Sequence, residues 1–266
     1  MNLSIEKLNG WNSGLSSVLL NVGENTFPDG LVKCLKHLID FDVCMVFAYG
    51  DEQGSAVLHH NMFGKQAEIL VDQYLMGPHL LDPFFAEATS GRKNGFKSMR
   101  ELAPDQFYRS EFYRHHYIRT GIADEIGVFF PVGEGRNAVL SVTRQKPKRL
   151  FSETEKSRFA SAAPIIEAYG SKHWGPTSYK NNLQSSSRTI KEVFKSFGED
   201  TLTLREREII SLVLKGHSSI SIGQVLSISS GTVKIHRKNA YSKLGVASQA
   251  ELFSMFLSLL QKKLDQ

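Results

Sequence analysis

Cysteine is nearly absent from this sequence. Its 266 residues include two, Cys34 and Cys44, too few for a zinc quartet or a disulfide framework. Both read as small apolar side chains in a core. No apolar run approaches the roughly eighteen residues of a membrane span, so no membrane partner is expected. The opening residues, MNLSIEKLNGWNSG, lack a basic region followed by an apolar one and a small-residue cleavage site, and a cytoplasmic protein is expected. A Walker loop, a dinucleotide fingerprint and a nucleophile–base motif are all missing. The sequence therefore offers no catalytic residue, no cofactor site and no enzyme. Two adjacent histidine pairs, His59-His60 and His115-His116, are poor metal ligands, because neighbouring side chains diverge on a strand or a helix.

What is present is ordinary globular material, with 41% apolar and 22% charged residues, which excludes disordered and collagenous chains. The charge is uneven. Residues 1–174 hold 19 Lys and Arg against 20 Asp and Glu, whereas residues 200–266 hold 9 against 5. A basic excess confined to one end points to a polyanionic partner for that end.

The texture changes after Trp174. Residues 175–199, GPTSYKNNLQSSSRTIKEVFKSFGE, are polar and Ser/Asn-rich at first and read as a linker. This gives a domain over 1–174, a linker over 175–199 and a smaller domain over 200–266. In the first, Leu31, Leu35 and Leu38 recur at helical spacing, residues 42–49 form an apolar strand and 55–60 its partner. Helices are expected over 65–76 and 106–120. A hairpin is expected from 125–132 and 137–144, joined by Gly133 to Gly135, and a capped helix from Ser152. The fold class is α+β: an α/β/α sandwich with a central antiparallel sheet, followed by a four-helix domain. In that second domain Thr203 with Glu206 makes a capping box, and Ser248 with Glu251 another. A short helix over 219–226, a turn and a longer helix over 231–244 form a helix-turn-helix unit.

The segments LTLREREI, from Leu202, and GTVKIHRKNAYSKLGV, from Gly231, resemble the LuxR-type DNA-binding domain over about residues 200–262. On the second segment Val233, Ala240 and Leu244 share one face, while Lys234 and Lys238 share another with Ile235 and Asn239 beside them. The resemblance implies that Lys234, Ile235 and Lys238 face bases. Lys donates to guanine O6 and N7, and Ile touches a thymine methyl. Thr232 and His236 would contact phosphates, with interhelical packing an alternative for His236. In the last helix Phe253 and Phe256 exceed what one face needs. By resemblance they pair with a second copy, giving a homodimer on an inverted-repeat operator of double-stranded DNA; an intrachain core is the alternative.

Residues 30–170 resemble the autoinducer-binding domain of the same family. Leu81-Asp82-Pro83 after Tyr74, the stretch GIADEIGVFFP from Gly121, and Leu140-Ser141-Val142 carry the likeness. It implies that Asp82 accepts an amide N–H of a ligand while Tyr74 and Ser141 donate to its carbonyls, in an apolar pocket. Asp82 before Pro83 fits a helix cap equally well. The family places two tryptophans around that pocket, whereas this chain has only Trp11 and Trp174, outside it. Phe96 is the candidate replacement for one, and a phenyl ring has no indole N–H to donate. The resemblance thus implies a quorum-sensing type or orphan regulator of transcription, controlled by a small apolar effector such as an acyl-homoserine lactone or another amide. The alternative is a constitutive DNA-binding regulator whose first domain only dimerises.

Overall fold

The computed structural model describes residues 3–50, 54–91, 95–133, 135–175, 194 and 196–264. The expected linker, 175–199, falls outside the described residues apart from 175, 194 and 196–199. Residues 51–53 of one expected turn and Glu134 of the hairpin connection also fall outside. The chain forms two compact units. One comprises Met1–Ala67, Glu87–Glu101 and Gly121–Gln184, and the other Glu68–Ala86, Leu102–Thr120 and Ser185–Gln266. The second unit thus takes in two stretches from within residues 1–174.

The first unit is built on five strands: β1 Val43–Tyr49, β2 Ser55–His60, β3 Gly95–Ser98, β4 Ile122–Gly133 and β5 Arg136–Gln145. Their order is β2-β1-β5-β4-β3, and every pairing is antiparallel. Because side chains alternate across a strand, Cys44, Val46 and Ala48 of β1 share a face with Ile126, Val128 and Phe130 of β4 and Leu140 and Val142 of β5. That face packs on α1 Ile5–Leu20, α2 Phe27–Leu35 and α7 Glu153–His173, through Leu31, Leu35, Phe159 and Ile166. Strand β1 is buried at all seven positions, which explains its unbroken apolar sequence.

Helix α7 starts at a capping box. The Ser152 side chain accepts from the Glu155 N–H, and the Glu155 side chain accepts from the Ser152 N–H. Glu155 has a second task. Its Oε1 lies 2.6 Å from the Arg144 guanidinium, and the two side chains are 12% and 3% exposed. Arg144 also donates to the Asp40 carbonyl at 2.9 Å and lies over the Phe151 ring. Burial would raise the Glu155 pKa, but hydrogen bonds from Arg144 and Ser152 outweigh it and hold the carboxyl at about 2.

Four short α-helical turns precede α7: α3 Gly64–Ala67, α4 Pro83–Ala88, α5 Met99–Leu102 and α6 Glu111–Tyr113. The single helices expected over 65–76 and 106–120 are broken in the structure. Residues Glu68–Gln73 and Arg114–Ile118 are π-helical, and Phe107–Arg109 is a 3₁₀ turn. Ser110 causes the second break, since its extended backbone and its side-chain bond to the Tyr113 N–H make it an N-cap. The second unit is completed by α8 Leu204–Leu214, α9 Ser219–Leu226, α10 Ser230–Leu244 and α11 Gln249–Leu264. Its interior includes Ile209, Val213, Ile222, Val233, Ala240, Leu252 and Phe256. Among the described residues no helix is long and apolar enough to cross a membrane.

Candidate nucleic-acid interface

Three caps set the geometry of the helix-turn-helix. Thr203 and Glu206 form the expected capping box at the start of α8. Glu206 is also 3% exposed and bonded to Lys243 of α10, with Nζ–O distances of 2.8 and 3.0 Å. This contact, with the Thr203 N–H, holds the Glu206 carboxyl below its usual range. It ties α8 to α10. Ser218 caps α9, and Ser229 caps α10 by accepting from the Thr232 N–H at 3.0 Å. The turn between them is tight. A Cβ on Gly223 would come within 2.7 Å of the Ile228 carbonyl oxygen, so a larger residue would push α9 off the turn. Helix α10 ends at Gly245, whose φ of 68° is the left-handed cap conformation.

Within that frame α10 has two unlike faces. Val233 and Ala240 are fully buried and Leu244 is half-buried. Lys234, Lys238 and Asn239 are exposed, and Ile235 is 62% exposed, unusual for so large an apolar side chain. Among the described residues neither Lys234 nor Lys238 has a carboxylate partner. Exposed lysines flanking an exposed isoleucine are chemically suited to base edges and a thymine methyl. Thr232 and His236 are half-buried at the edge of this stripe, and the Thr232 hydroxyl lies 2.8 Å from Ser229 Oγ. The stripe continues to Ser242, four residues beyond Lys238 and exposed. Sequence reasoning passed over it, although the same spacing would have found it.

The residues expected to dimerise are placed differently. Phe253 is 2% exposed and Phe256 fully buried. Phe253 lies 5.0 Å from the His115 ring, and Phe256 meets Phe194 and Phe197 edge-on at 5.3 and 5.7 Å. Within one chain this burial matches the alternative of an intrachain core. Their apolar surface is consumed inside the second unit by aromatic residues that no helical pattern in α11 reveals.

The expected ligand-facing residues divide as well. Tyr74 and Asp82 are brought together, the Tyr74 hydroxyl donating to Asp82 Oδ2 at 2.9 Å. Asp82 Oδ1 accepts from the Phe84 N–H at 2.8 Å. Asp82 is 5% exposed, and burial pushes its carboxyl above the usual range despite these two bonds. Phe96 and Ser141 are not brought together. Phe96 pairs with Val128, which pairs with Leu140, so Phe96 shares Leu140's face and Ser141 has the opposite one. Phe96 packs edge-on to Phe159 of α7. It therefore belongs to the helix-covered core and cannot line one pocket with Ser141.

Comparison with known proteins agrees with this architecture. Residues 200–256 match the family described as bacterial regulatory proteins, luxR family. An HTH-type transcriptional regulator from the exeN 3' region of Aeromonas salmonicida is 32% identical over 187 residues, spanning 67% of this chain and 94% of its own length. The monoamine regulon transcriptional regulator of Klebsiella aerogenes is 27% identical over 183 residues, 68% of this chain and 70% of its own. Among solved structures, the VqsR LBD domain from Pseudomonas aeruginosa is similar with a TM-score of 0.54 at 20% identity, over 61% of this chain and 95% of that one. That likeness is one of fold.

Proposed function

The chain belongs to the LuxR family of bacterial regulatory proteins, and from that membership we propose that α10 reads the major groove of its operator. It is a transcriptional regulator with a LuxR-type DNA-binding domain. In the proposed complex Lys234, Ile235 and Lys238 face bases, while Thr232 and His236 contact phosphates. The observation that carries this reading is the α10 stripe itself: two exposed lysines around an isoleucine left 62% exposed. Fluorescence anisotropy with a labelled operator tests it. Lys234→Ala and Lys238→Ala are each expected to weaken specific binding by about 1–3 kcal/mol with little change in melting temperature. Operator affinity equal to wild type in both variants would remove α10 from the groove.

The regulator is further proposed to act in the cytoplasm as a homodimer on an inverted repeat, under control of a small apolar signal. A ligand amide, as in an acyl-homoserine lactone, would meet Asp82, with Tyr74 and Ser141 as further polar contacts. Two features support this: the fold shared with the VqsR LBD domain, and the spare lone pairs of the Asp82 carboxylate, which can accept about four hydrogen bonds and uses one at each oxygen here. The same two bonds favour a second reading, in which Asp82 is a helix cap and DNA binding is constitutive.

A further inference from the structure

The second unit holds a cavity of about 230 Å³, and all its lining residues belong to that unit. Its walls come from the stretch around Ile69 and Tyr74, from the stretch around Phe112 and His116, and from α11 through Phe253, Leu257 and Leu260. Most of this surface is aromatic or aliphatic. Such a cleft takes up apolar molecules, and its few polar atoms decide which ones.

The polar atoms that matter belong to His116. The residue is 9% exposed. Its ring stacks on Phe112 with centroids 5.3 Å apart and planes 13° from parallel, and lies 4.9 Å from the Tyr74 ring. Burial pushes its pKa down to about 3, so the imidazole is neutral at physiological pH, with one N–H to donate and one nitrogen to accept. Two nearby histidines have their Nδ1 atoms engaged, His115 with the Glu111 carbonyl at 2.9 Å and His79 with the Tyr74 carbonyl at 3.2 Å. Among the described residues neither ring nitrogen of His116 has a hydrogen-bond partner. His116 thus brings a donor and an acceptor without a protein partner to the wall of an apolar cavity.

We propose that this cavity binds a small molecule with an aromatic body and one group, a carboxamide or hydroxyl, that hydrogen-bonds a ring nitrogen of His116. The aromatic body follows from the rings of Tyr74, Phe112 and Phe253 around the space. The donor–acceptor group follows from the neutral imidazole: whichever tautomer meets the ligand, a carboxamide or hydroxyl can either donate to or accept from the ring nitrogen it reaches, whereas a carboxylate can only accept. Arg119, exposed at the cavity, is where a carboxylate would bind instead. The cavity shares Tyr74 with the effector reading, but Asp82 does not line it. Because the occupant touches both α11 and the 112–119 stretch, its binding favours the arrangement in which these pack together.

The test uses the full chain labelled with ¹⁵N-histidine and three probes: phenylacetamide, phenylacetate and propylbenzene. Phenylacetamide is expected to shift the His116 ring resonances saturably and to raise the melting temperature. His116→Phe keeps the stacked ring and should weaken phenylacetamide binding roughly tenfold, the worth of one hydrogen bond to a neutral group, while propylbenzene binding persists. Leu257→Trp leaves the imidazole intact and fills the space from α11, so it should abolish binding of every probe. It carries the test if His116→Phe does not fold. Three results overturn the proposal: no saturable His116 shift up to the solubility limit of phenylacetamide, phenylacetamide binding undiminished by Leu257→Trp, or tighter binding of phenylacetate than of phenylacetamide. The last would assign the cavity to Arg119.

Discussion

Asp82 shows how one side chain can satisfy two readings of the same motif. Its Oδ1 takes the Phe84 N–H and its Oδ2 the Tyr74 hydroxyl, so Asp-Pro serves as a helix start whether or not a ligand arrives. Asp82→Ala removes a cap and the buried bond from the Tyr74 hydroxyl, and should lower unfolding free energy by about 2–3 kcal/mol. Asp82→Asn retains an acceptor for the Phe84 N–H and, because the Tyr74 hydroxyl can rotate, should lose less than half as much. Urea unfolding of the two variants checks the order; equal losses would mean that the cap contributes little. Function separates from stability in a reporter strain. The effector reading requires Asp82→Asn to desensitise the response to extracts of the native host, with the exposed Asp72→Asn as control. An unchanged dose–response would leave Asp82 a purely structural residue.

Elements were legible where a local rule decides them. The capping boxes at Ser152 and Thr203 are read from two residues three apart, and both form. The Ser248 cap is half of one: Ser248 Oγ accepts from the Glu251 N–H, but the Glu251 carboxylate takes the N–H of Ala247. The β4–β5 hairpin and the β1–β2 pair follow from apolar runs. Strand β3 has no such signal, since Gly95–Ser98 contains a single apolar residue, Phe96. Nor does α1, which buries only Trp11 and Val18. At the candidate site, the exposed stripe of α10 was legible because helical spacing alone sorts it. The burial of Phe253 was not, because His115 lies 138 positions away in the chain. Tertiary pairing also governs the Glu155 cap. Replacing it by Gln leaves the Arg144 guanidinium, 3% exposed, without its counter-charge, and should cost about 3 kcal/mol at pH 7. The Glu155 pKa is lowered on folding to about 2. The native state therefore binds fewer protons than the unfolded chain between that value and about 4.3, the ordinary Glu pKa. The stabilisation is full above about pH 5 and is lost as pH falls towards 2. Unfolding free energies of wild type and Glu155→Gln should converge as pH is lowered from 6 to 3. A constant difference would show that the ion pair is not its source.

At the scale of the molecule, most of the basic excess lies in the last 67 residues, the part that carries the proposed recognition helix. A single such domain offers few phosphate contacts, and two copies on one operator roughly double them. The proposed dimer needs a surface, and within one chain Phe253 and Phe256 are already covered. Helix α11 turns Leu252, Phe253, Phe256 and Leu260 inward. Met255 and Leu259, four residues apart, stay half-buried beside an exposed Ser258. They form an apolar, half-covered face of α11 that the proposed dimer could use. Met255→Glu and Leu259→Glu should therefore leave the chain folded, yet weaken occupancy of the full inverted repeat by tenfold or more. Phe256→Glu places a charge in the core and should lower the melting temperature instead. Sedimentation of the DNA complex counts the chains. Two are expected on a site whose halves lie about 34–36 Å apart, one helical turn, and one on a half-site. A single chain on the intact operator would remove the dimer. If Phe256→Glu separated the chains while remaining folded, and Met255→Glu did not, then Phe256 must turn outward on the operator. Its packing against Phe194 and Phe197 would then be an arrangement that the chain abandons when it binds DNA.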